Sequence, residues 1–250
     1  MIEIAIAVGV IGFALVAIIG NLPRGMNVQK DNRESTIISQ DAPYFLNAIR
    51  NGEMRTNNNI LTSYVESITI TNIGGPISNV VYINTNLTSG PNNVLTNDMN
   101  IIGLLSTPEF DIRPSFAGQS NGVTAIVHAM TGSAIQQNGA NTNTAFRYQL
   151  TVEIDPWNYS WNPTGYTTPN YLPASITANP STLAAYMSNM AAGLYEIRLK
   201  FAWPVFPNGS IGPGRQTYRS QISSHLSTNL FTNNPPLWFF QPKTFSPPNT

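Results

Sequence analysis

The chain contains no cysteine. Disulfides, thiol catalysis, cysteine-ligated zinc and Cys-x-x-Cys-His haem attachment are therefore excluded. Charge is scarce as well. Asp, Glu, Lys and Arg make up 10% of the residues, against about 25% in an ordinary soluble domain. Twelve basic residues balance 12 acidic ones, so there is no basic field for nucleic acid and no polybasic patch for anionic lipid. Asn, Thr, Ser, Gly and Pro take the place of charge. Such a surface suits a protein that packs many copies together, because repulsion between copies is small, and it equally suits many extracytoplasmic β proteins. The 250 residues suffice for one large domain or two small ones with a substantial core.

What is present begins with an apolar run. Residues 4–23 carry no charge, and twenty helical residues at about 1.5 Å each span about 30 Å, one hydrocarbon thickness. Glu3 stands ahead of the run, and the next charge is Arg24. A signal peptide needs a basic leading region and a small-x-small cleavage site; here the leading charge is acidic and "AIIGN" is a poor site. A simple transmembrane anchor fits the length but gives Glu3 no role. A carboxylate within a membrane costs about 2.5–3.5 kcal/mol unless it is paired or neutralised, which makes it a functional candidate.

The stretch "MIEIAIAVGVIGFALVAIIG" resembles the mature N-terminus of type IV pilins and type II secretion pseudopilins. That family has a glutamate near the mature end and a glycine nine residues later, and Gly12 lies nine after Glu3. The resemblance covers about the first fifty residues. It implies processing and N-terminal methylation by a prepilin peptidase. It also implies that Glu3 pairs with the N-terminal amine of a neighbouring subunit during assembly. Two residues precede this glutamate where the family usually has four, and Pro23 falls three residues after Gly20, where the family often has proline. The assembly residues carried over are Glu3, Gly12, Gly20 and Pro23. The segments "NIIGLLSTPEF", "AFRYQLTVEIDP" and "GLYEIRLKFAWPVFPNGSIGPGRQTYRS" also resemble the heads of larger prepilin-type proteins, a likeness that implies no chemistry.

The expected fold class is α+β: a long N-terminal helix, interrupted near 20–25, then a mainly antiparallel β-rich head. The expected division is a helical stalk over 1–52 and a head over 53–250. "GNLPRG" at 20–25 weakens helical hydrogen bonding, as a locally melted segment or as an ordinary membrane-exit loop. A second helix is predicted over 29–51. Its apolar face is Ile38, Ala42, Phe45, Leu46 and Ile49, and its polar side is Asp31, Arg33, Glu34 and Asp41. Pro43 should kink or split it, and "NGE" at 51–53 should end it.

Beyond residue 53 the period becomes two. Phe146, Tyr148, Leu150, Val152 and Ile154 alternate with Arg147, Gln149, Thr151, Glu153 and Asp155. Tyr195, Ile197, Leu199, Phe201 and Trp203 alternate with Glu196, Arg198 and Lys200. Both are strands covered on one face. Residues 194–222 read as a long hairpin turning at "PNGSIGPG", and further strands are expected near 64–71, 78–85, 100–105 and 122–130. A helix over 179–193 has Asn179 as N-cap and Gly193 as C-cap. Residues 156–173 form an aromatic- and Pro-rich loop, and the C-terminus is extended and clamped by Trp238, Phe239 and Phe240.

Candidates for chemistry are few. His128 and His225 are isolated in sequence, as structural histidines are, and lack metal-ligand spacing. Glu153 and Asp155 share a strand face and could form an acid/base pair, but the simpler role is pairing with Arg198, Lys200 or Arg219 across strands. Asp98, Asn100, Glu109 and Asp111 offer oxygen ligands without calcium-loop spacing. No G-x-S-x-G, phosphate loop or HExxH occurs. Asn86, Asn158 and Asn208 lie in Asn-x-Ser/Thr sequons, frequent by chance in so Asn- and Thr-rich a chain. No catalytic site, cofactor, metal or nucleic-acid partner is expected.

The function expected from these features is that of a structural subunit of an extracellular, type IV pilus-like filament. It would be a helical homo-oligomer, inserted in the inner membrane before the pilus assembly machinery extracts it. A pseudopilin of a secretion or DNA-uptake machine is the nearest alternative. A membrane-anchored adhesion or binding protein that never polymerises is the alternative of a different class.

Overall fold

The computed structural model describes residues 2–52, 60–73, 79–84, 94–109, 120–131, 146–156, 193–229 and 236–241. The expected helix over 179–193 except Gly193, nearly all of the 156–173 loop, Asp111 and the sequons at Asn86 and Asn158 lie outside the described residues.

The class is α+β: a long N-terminal helix followed by an antiparallel six-stranded sheet. The helix, α1, runs from Ile2 to Asn51. The interruption expected at 20–25 and the split expected at Pro43 do not occur in the backbone. One proline deletes one N–H bond and each glycine costs about 1 kcal/mol, while long helical flanks on both sides keep propagation favourable. At Pro43 the ring is exposed, and so is Ser39, whose carbonyl loses its helical partner, so the free acceptor belongs to a solvent-facing residue. Gly52 ends the helix with φ +48°, where a Cβ would strike the Phe240 carbonyl oxygen. Glycine alone meets both conditions.

The sheet is built from β1 (Val65–Ile73), β2 (Asn79–Ile83), β3 (Ser120–His128), β4 (Arg147–Pro156), β5 (Leu194–Val205) and β6 (Ile211–Ser223). Their order is β2-β1-β3-β4-β5-β6, and each neighbouring pair is antiparallel. Period-two alternation sends one row, Tyr82–Ile68–Ala125–Leu150–Phe201, to the core and the next, Val81–Thr69–Thr124–Thr151–Lys200–Thr217, to the outer face. The two aromatic-rich strands predicted from alternation are β4 and β5, and the long hairpin is β5–β6.

Three elements cover the inner face. The last four turns of α1 bury Ile38, Ala42, Phe45 and Ile49 at helical spacing. A second helix, α2 (Asp98–Leu105), and the ribbon β7 (His225–Asn229) with β8 (Leu237–Gln241) complete the core. The strand expected near 100–105 is thus a helix. Its five apolar or glycine positions, Ile101 to Leu105, are all buried, and so short a buried run has no period to distinguish the two. The deciding signal is Asn97, whose side chain accepts from the Asn100 N–H at 2.8 Å as an N-cap. Phe239 and Phe240 are fully buried and Trp238 nearly so, on β8; the rest of the C-terminal segment expected to be clamped by them lies outside the described residues.

Candidate functional site

The candidate site is α1 itself, exposed over its first half and seated in the head by its second. None of the described residues of the apolar span is buried, and Ile2, Ile6, Val10, Phe13, Val16 and Ile19 are each more than half exposed. By length and composition this helix can cross a membrane.

Glu3 lies in the first turn with its side chain exposed. Gly12 and Gly20 face open space, with nothing within 4 Å of where a Cβ would stand. Pro23 sits within the continuous helical backbone. At about 100° per residue, Gly12 and Gly20 lie within about 80° of one another, while Glu3 is about 180° from Gly12. The four residues therefore form no single cluster. Glu3 and Gly12 present opposite sides of the rod, about 14 Å apart along it. Gly9, which sequence reasoning passed over, shares the glycine side and is equally open.

The seat is the unexpected part. Asp41, assigned to the polar side of the helix, has no exposure at all. Its carboxylate accepts from the Met130 N–H at 3.0 Å, the Thr131 hydroxyl at 2.8 Å and the Tyr148 hydroxyl at 3.0 Å. Met130 and Thr131 follow β3, and Tyr148 lies on β4, so one side chain ties α1 to the middle of the sheet. Desolvation raises the Asp41 pKa, and the hydrogen bonds oppose that shift without cancelling it. Burial, and then the Asp41 carboxylate, push the Tyr148 phenol well above its usual range, so Tyr148 stays a donor.

Glu34, also expected on the polar side, is 8% exposed. It lies 3.7 Å from Lys30, and desolvation raises its pKa. It helps line an open groove of about 730 Å³ between residues 30–35 of α1 and the β5–β6 hairpin, with Trp203, Pro204, Phe206 and Arg215 on the far wall. Higher on the helix, Tyr218 and Ser39 hydroxyls are 3.1 Å apart, and Arg50 donates to Ser220 Oγ at 2.8 Å.

The remaining candidates resolve into structural pairs. His128 is not isolated in space. Its Nε2 is 3.3 Å from Glu66, which also accepts from Arg147 at 3.1 Å. The hydrogen bond from His128, reinforced by Arg147, outweighs burial and lowers the Glu66 pKa. Arg198 bridges Glu153, Asp155 and Glu196, and Lys200 pairs with Glu153, the cross-strand role expected of them. Asp98 accepts from the N–H groups of Ile60 and Thr62, which ties α2 to the chain ahead of β1. Among the described residues, no group of three or more His, Asp or Glu is placed to hold a metal.

Compared with protein-family models, with curated proteins and with solved structures, the chain matches none.

Proposed function

We propose that this protein is a structural subunit of an extracellular, type IV pilus-like filament, polymerising through α1. One observation carries the reading: the last turns of α1 are head core, while every described residue from 2 to 33 is exposed on the same unbroken helix. The molecule cannot fold that apolar surface away within itself. A bilayer covers it first, and neighbouring helices cover it after extraction. Because lipid already shields apolar side chains, the transfer depends on packing and on pairing of Glu3. The prepilin peptidase and the assembly machinery are the partners this reading requires.

Glu3→Ala tests it. Electron microscopy of sheared surface material should show filaments of the native chain and a loss of about tenfold or more for the variant, since alanine removes the pairing that favours the filament by relieving a membrane carboxylate cost above about 1.4 kcal/mol. Membrane insertion should survive, as judged by resistance to alkaline carbonate. Undiminished filaments would remove the role given to Glu3. A native chain confined to the membrane fraction would favour the non-polymerising anchor instead.

A further inference from the structure

We propose that the groove between residues 30–35 of α1 and the β5–β6 hairpin binds a short, neutral oligosaccharide. The proposal goes beyond the filament reading and does not rest on it, because one chain supplies every wall.

The walls select the ligand class by exclusion. Lys30, Asp31, Glu34 and Arg215 all line the groove, two charges of each sign. An anion there meets the carboxylates, and a cation meets Lys30 and Arg215. An apolar occupant would strip water from all four groups and return no hydrogen bond. What remains is an uncharged molecule that both donates and accepts hydrogen bonds. Asn32 and Gln216 on the same walls add amides that do both. Sugars match this demand with hydroxyls, and their C–H faces pack on apolar rings such as Phe206, which is 44% exposed at the groove. The volume of about 730 Å³ lies within the range of small-molecule clefts, about 300–1,000 Å³.

The site is built rather than accidental. Glu34 lines the groove and yet is 8% exposed. Among the described residues its ion partner is Lys30 at 3.7 Å, beyond hydrogen-bond length. The carboxylate oxygens can therefore still accept from ligand hydroxyls, and such charge-assisted bonds are the strong ones. The opposite wall is preformed. Gly212 and Gly214 let the Pro204 and Trp203 rings lie against the β6 backbone, where a Cβ at either glycine would strike the ring. Arg215 Nη1 donates to the Gly212 and Gly214 carbonyls, which fixes the guanidinium at the groove. A wall already in place spares a ligand the cost of ordering it.

Calorimetric titration of the full chain in lauryldimethylamine oxide, a detergent without a sugar headgroup, tests the proposal. The probes are cellotriose, maltotriose and triacetylchitotriose. At least one should bind with a Kd of about 1 mM or tighter. Phe206→Ala, at an exposed ring, should weaken that binding about fivefold. Glu34→Gln should weaken it about tenfold, while Thr217→Ala on the outer face leaves it unchanged. No binding of any of the three at about 10 mM would overturn the proposal. Binding that Phe206→Ala and Glu34→Gln both leave undiminished would also overturn it, since the sugar would then sit elsewhere on the chain. Should Glu34→Gln fail to fold, Phe206→Ala decides alone. Filament formation by the native chain is read separately, so failure here leaves the proposed function standing.

Discussion

Replacing Asp41 by alanine removes the acceptor shared by Met130, Thr131 and Tyr148. The Met130 N–H and the Tyr148 hydroxyl then have no partner in the seat. An orphaned buried donor costs about 1–3 kcal/mol, so Asp41→Ala should destabilise the head by about 3–5 kcal/mol. At about 2–4 °C per kcal/mol for a domain of this size, Tm should fall by about 6–20 °C. Asp41→Asn is the informative partner. Its Oδ1 can accept from Met130 and Tyr148, and its Nδ2 can donate to the Thr131 oxygen, so the bonds persist without the buried charge. That variant should lose less than about 1.5 kcal/mol near neutrality. The two also differ with pH. Because the folded-state pKa of Asp41 is raised, its protonated form is favoured by folding. That contribution is complete below the unfolded value near 3.8 and is lost as pH rises through the raised folded value. The stability of Asp41→Asn relative to the native chain should therefore improve as pH rises from below 4 toward 7. Thermal unfolding of the full chain in detergent, followed by near-ultraviolet circular dichroism across that range, measures both. A loss below about 1 kcal/mol for Asp41→Ala would refute the seat as the tie between helix and sheet.

Glu66 carries the opposite sign: its pKa is lowered by His128 and Arg147, so its contribution is present above about 4.5 and is lost as pH falls through the folded value. Glu66→Gln should accordingly lower Tm near pH 7 and lose that difference in acid, which the same titration reads. Gly52→Ala should cost about 2 kcal/mol or more, since it meets both a left-handed backbone and the Phe240 carbonyl; chemical denaturation of the head checks this.

Much of the head was legible because its strands are half-buried. In β4 and β5 every second residue is buried, so alternation announced both strands and the faces they present. It also put Glu153 on the face shared with Arg198, Lys200 or Arg219, and the register sets it opposite Arg198. Where both faces of an element are covered, as in α2, the apolar run lost its period and was misread as a strand. The exposed half of α1 was legible from its lack of charge alone. Its seat was not. Asp41 falls where a helical wheel puts it among Asp31, Arg33 and Glu34, and nothing local marks its burial, because its three partners lie 89, 90 and 107 residues away. The only available hint was that Asp41 precedes Ala42 and lies three residues after Ile38, at the edge of the apolar stripe. His128 and Glu66 are likewise joined only by the pairing of β1 with β3, which a single sequence does not contain.

The position of the seat has a mechanical consequence under the proposed function, in which the molecule leaves lipid for a polymer. Force applied along α1 reaches the head through Asp41, the apolar stripe from Ile38 to Ile49 and the Arg50 contact with β6, all above the groove at residues 30–35. Below the groove the helix makes no buried contact among its described residues, so the exchange of lipid for other helices that the proposed function requires would leave the head undisturbed. A purely apolar seat would resist such pulling by area alone and could slide by one turn, because stripes at i, i+4 and i+7 look alike after a shift of about 5.4 Å. A buried carboxylate with three fixed donors cannot slide, since any other register leaves a charge unpaired in the core. Asp41 thus sets the register of helix against sheet, a task its raised pKa makes costly and its three hydrogen bonds make possible. In the proposed filament the sparse, balanced charge of the chain would serve the same end on the outside, since heads on neighbouring rods would approach one another with little electrostatic opposition.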